Sequence, residues 1–70
     1  MTVALSFDYT SDITEFGRAF WNACCDVGRR DIAFEAATIQ DHYVDVQLFI
    51  QEILKRHPDL RLEFPDVGQL

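Results

Sequence analysis

The sequence predicts an α+β domain in two layers, two amphipathic helices on one face of a small two- or three-stranded sheet, and three observations predict it. Apolar residues alternate near both ends of the chain, as in half-buried strands. Between them the apolar period lengthens to that of helices, and Gly28 and Pro58 punctuate the segments. Each strand also has a polar side, unlike the continuous apolar runs of a sheet covered on both faces.

The first strand spans residues 2 to 9, with Val3, Leu5, Phe7 and Tyr9 on one side and Ala4, Ser6 and Asp8 on the other. Thr10, Ser11 and Asp12 break it. Asp12 followed by Glu15 has the spacing of a capping box, and Ile13, Phe16, Phe20, Cys24 and Val27 form an apolar stripe ending at Gly28. This places the first helix over residues 13 to 27.

Residues 32 to 39 admit two readings. As a strand, Ile32, Phe34 and Ala36 face one way and Ala33, Glu35 and Ala37 the other, giving β-α-β-α-β. As helix, Ile32, Ala36, Ile39, Tyr43, Val46, Ile50 and Ile53 continue one stripe, and three alanines favour it. That gives β-α-α-β with one long second helix after Arg30.

The helix over residues 42 to 57 buries Val46, Phe49, Ile50, Ile53 and Leu54, and Lys55, Arg56 and His57 suit its C-terminal dipole. Pro58 stops it. Leu60, Leu62 and Phe64 then alternate with Arg61 and Glu63 in a last strand closed by Pro65. The outer sheet face is expected to carry Asp8, Glu63 and, on the strand reading, Glu35.

Seventy residues allow one core and one domain, residues 1 to 70, and a composition 49% hydrophobic and 13% aromatic is enough to build it. Twelve acidic against six basic residues give a formal charge of −6, which disfavours direct binding to nucleic acid or any phosphate-rich partner. The adjacent cysteines, Cys24 and Cys25, offer no disulfide framework. With no basic leader and no apolar run near the ~20 residues of a membrane span, the expectation is a cytoplasmic protein that does not enter a membrane.

Catalytic and cofactor motifs are missing from the pattern. Three scattered glycines make no phosphate loop, and neither Ser6 nor Ser11 lies in a G-x-S-x-G turn. Cys24, Cys25, His42 and His57 have the composition of a zinc site but not its convergent spacing. No cofactor, metal or enzymatic activity is expected.

What remains is surface. With Val46, Ile50 and Ile53 turned inward, Val44 and Leu48 point outward from the second helix, rimmed by Asp41, Asp45 and Glu52. An apolar pair within like charge suits a protein partner with a basic surface. Trp21, with Arg18 and Cys25 beside it on the first helix, is a secondary interface candidate. The expected function is therefore a non-enzymatic, small acidic binding protein: an inhibitor or antagonist of a nucleic-acid-handling protein, on the physical basis shared by immunity and phage anti-defence proteins. The alternative is a structural or accessory domain that forms homodimers or larger homo-oligomers.

Overall fold

A computed structural model describes residues 2–65. The chain runs β1 (Val3–Ser6), α1 (Ile13–Asp26), α2 (Arg30–Gln40), α3 (Val46–Arg56) and β2 (Leu60–Glu63). Three helices pack on a two-stranded sheet. The strands are parallel, in the register Val3 to Leu60 and Ser6 to Glu63, so the helices form the crossover that parallel neighbours require.

Both strands and α1 form within the segments the apolar period marks, but β1 is shorter than the expected 2 to 9: it ends at Ser6, and Phe7, Asp8 and Tyr9 lie in the loop that follows, which takes Asp8 off the sheet. Leu5 and Leu60 are buried, Val3 and Leu62 half-buried, and Ala4, Ser6, Arg61 and Glu63 exposed. Asp12 caps α1 by accepting from the backbone N–H groups of Thr14 (2.9 Å) and Glu15 (3.0 Å). The reciprocal half of the capping box is relayed: Thr10 Oγ1 accepts from the Asp12 N–H and donates to Glu15 Oε2. At the other end Gly28, at φ 78°, donates to the Cys25 carbonyl while Arg29 N–H donates to that of Cys24. This is the Schellman closure, and its left-handed residue favours glycine. Val27, expected on the apolar stripe, sits at this closure and is exposed.

The middle segment corrects both sequence readings. Residues 30–40 are helical, so the third strand and the β-α-β-α-β order do not occur. Ala33, which the strand reading turned outward, is fully buried, and Glu35 lies on α2 rather than on the sheet. The single long helix does not occur either. The amides of His42 and Tyr43 bond back to the carbonyls of Ile39 and Gln40, tightening the end of α2. Asp45 is then extended (φ −98°, ψ 117°), and its side chain accepts from the Gln47 N–H at 2.8 Å to start α3. A short acidic side chain that bonds its own backbone two residues on competes with helix continuation. Val44 consequently lies in a loop, not on a helix.

Aromatic rings form the centre of an otherwise aliphatic core. Phe16, Phe20 and Phe49 are buried, with Phe7, Tyr9, Tyr43 and Phe64 packed around them. Phe7 meets Phe16 and Phe64 edge-on at 5.4 Å each, and Phe49 meets Phe16 at 6.0 Å, a geometry that places ring edges against ring faces.

Candidate protein-binding surface

Three contacts gather one set of loops at one end of the molecule. Gln40 Nε2 donates to the Ile13 carbonyl at 3.2 Å, tying the end of α2 to the start of α1. Gly17 makes this approach possible, because a Cβ there would collide with the Gln40 side-chain amide. Gln47 Nε2 donates to Tyr9 Oη at 3.0 Å, tying the start of α3 to the loop after β1. The third is the contact of Phe64 with Tyr9, ring centroids 5.4 Å apart, which brings in the end of β2.

The converging segments, residues 7–15 and 40–48, carry Asp8, Asp12, Glu15, Asp41 and Asp45 and contain no lysine or arginine. All five carboxylate residues are exposed, and among the described residues none forms an ion pair. Asp12 and Asp45 are held at helix starts, where backbone N–H groups and the macrodipole favour negative charge. Val44, on the second of these segments, is 89% exposed. It lines an open cleft of about 390 Å³ with Tyr9, Ser11, Asp45 and Val46. A second cleft of about 330 Å³, lined by Gln47, Ile50 and Phe64, shares Tyr9 with the first.

Leu48, on the first turn of α3, is half exposed. Glu52 departs from the expected rim. It accepts from Arg56 Nε at 2.7 Å, and this bond holds its carboxyl below the usual carboxylate range, with Lys55 and a Tyr43 hydrogen bond acting in the same direction. Arg56 also donates to Glu35 Oε1 at 3.1 Å, while Glu35 Oε2 lies 3.1 Å from His57 Nε2. Glu35 thus ties α2 to the end of α3. Sequence spacing could not reveal this, since the partners lie more than 20 residues apart.

The opposite end is cationic but mostly neutralised. Arg29 grips Asp31 with two nitrogens, each at 3.1 Å, and reaches Asp59 at 3.5 Å, tying the α1–α2 turn to the segment before β2. Its guanidinium holds the Asp31 carboxyl below the usual range. The net negative charge is therefore left unbalanced at the end that carries Val44.

Trp21 on α1 is half-buried beneath Phe34 of α2, the rings edge to face at 4.9 Å. Phe34, 60% exposed, was absent from the sequence-based surface residues. Its signal was the helical reading itself, which puts position 34 away from the Ile32–Ala36–Ile39 stripe. Cys24 is buried, Cys25 half-buried and His42 exposed. Among the described residues no three His, Cys, Asp or Glu side chains converge as metal ligands, and no helix is long and apolar enough to cross a membrane.

No protein-family model, curated protein or solved structure matches the chain.

Proposed function

We propose that this chain is a non-enzymatic binding protein whose acidic end docks on a basic surface of a protein partner. The observation that carries this reading is that five exposed carboxylates, with no lysine or arginine in their segments, lie on the segments drawn together at the end that carries the exposed Val44. Carboxylates on such a rim steer encounter with a positive surface, and a central apolar side chain holds the complex once formed. Surfaces that bind phosphates are the commonest strongly basic ones, so the partner class is a nucleic-acid-handling protein and the action is that of an inhibitor or antagonist. A two-layer arrangement accompanies this reading, supported by the exposed row Ala4, Ser6, Arg61 and Glu63 opposite the helices. The adjacent thiols, both free, favour a cytoplasmic setting.

The test is association kinetics with the partner recovered by affinity capture on the full chain. Replacing Asp8 and Asp41 together by lysine should slow association by about tenfold or more at low salt, and raising salt should slow the unmodified protein likewise. Val44→Asp should speed dissociation. Binding that is indifferent to all three changes would overturn the reading. Asp45 is unsuitable for this purpose, because charge reversal there also removes the α3 cap.

A further inference from the structure

We infer that the α1–α2 side of this chain is a second docking surface whose occupant is the acidic end of another copy, joined head to tail. The inference rests on the acidic end being a docking surface, as proposed above.

Six cations are present, and three of them, Arg29, Arg56 and Arg61, form ion pairs. Among the described residues Arg18, Arg30 and Lys55 form none. Arg18 and Arg30 belong to one place. Arg18 precedes Trp21 by three residues on α1, and Arg30 precedes Phe34 by four on α2, so each shares a helix face with its aromatic. The 4.9 Å contact of Trp21 with Phe34 joins the two faces into a single patch. Both arginines are exposed, as is most of Phe34.

In a chain of charge −6, this patch is the complement of the other end. One end offers Val44 between Asp41 and Asp45; the α1–α2 side offers two aromatic rings between two arginines with no carboxylate bound. Tryptophan, phenylalanine and arginine are enriched in interfaces. Guanidinium groups also suit carboxylate partners geometrically. The two surfaces are different, so the contact is heterologous: two joined copies still have one free surface of each kind, one on each copy, and growth continues into chains or rings.

Sedimentation of the full chain tests this. At low salt the mass should rise past that of a dimer between about 10 µM and about 1 mM, and fall back as salt reaches about 0.5 M. Phe34→Asp and Val44→Asp should each give monomers, whereas their equimolar mixture should give a complex of two chains and no more, one intact surface being contributed by each. The pair Arg18→Glu with Arg30→Glu, altering only exposed side chains, should repeat the Phe34→Asp result if that variant folds poorly. A chain that stays monomeric to about 1 mM would overturn the inference. So would self-association that Val44→Asp leaves intact, or that the mixture fails to restore. Partner capture separates the two proposals: if Phe34→Asp still captures the basic partner while no self-assembly is found, this inference alone falls; if Val44→Asp leaves capture unchanged, the proposed function falls.

Discussion

Cys24 and Cys25 are neighbours in the chain, yet the helix turns them about 100° apart and gives them different chemistry. Cys24 is fully buried, and burial pushes its thiol up to about 12, with Cys25 and Asp31 adding to the rise and Arg29 opposing it. Cys25 is partly exposed. Native protein treated with an alkylating reagent near neutral pH should therefore lose one thiol quickly, mapped to Cys25, and the second only on unfolding. Equal rates would show that the end of α1 opens readily. The raised Cys24 value also links stability to pH. Below its ordinary value of 9.0 the thiol is protonated in both folded and unfolded chains. Between that value and about 12 the unfolded chain releases a proton that the folded chain keeps, so stability falls as pH rises across this window. Denaturation midpoints should show a shallower alkaline decline in Cys24→Ala than in the unmodified protein, against its lower starting stability.

At the scale of elements, the break between α2 and α3 matters most, because it converts a helix face into a loop and lifts Val44 out of the helix. One side chain starts the second half. Asp45→Ala should cost about 1 kcal/mol through loss of the α3 cap, whereas Asp41→Ala, which has no such bond, should stay within about 0.5 kcal/mol of the parent in chemical denaturation. Equal costs would refute the assignment. The strands and α1 were legible because each carries its own period between breaks at Asp12, Gly28, Pro58 and Pro65, although the alternation runs on to Tyr9 past Ser6, where β1 ends. The break was not legible, since residues 41–45 contain neither glycine nor proline and the apolar stripe runs through them by way of Tyr43. A single aspartate competing for a backbone amide leaves almost no trace in periodicity. Asp41, Asp45 and the exposure of Val44 and Leu48 could be read locally. Glu52 could not be excluded from the rim by spacing alone, although Arg56 four residues on was a hint, and the engagement of Glu35 depends on α2 meeting the end of α3. Asp8, Asp12 and Glu15 joined the acidic end only once Gln40 and Gln47 had drawn the loops together.

Across the whole molecule, the helices run between two unlike ends: carboxylates without cations at one, and at the other Arg29 and Arg56 neutralised by carboxylates beside Arg30, which is unpaired among the described residues. The sheet has its own polarity. The first and last strands are direct neighbours and parallel, so Thr2 enters the sheet at the end opposite to that from which Pro65 leaves it. Bonds such as Val3 N–H to the Asp59 carbonyl and Phe7 N–H to the Glu63 carbonyl lie across the line joining those two points. Tension applied between residues 2 and 65 therefore slides one strand along the other and loads every inter-strand bond together. Tension applied between residue 2 and Pro58, which lies beside the start of β1, opens the same strands from one end and breaks the bonds in turn. A single-molecule pulling measurement should find a higher rupture force in the first geometry than in the second, making this small domain a mechanical clamp along its own chain direction and a weak zipper across it.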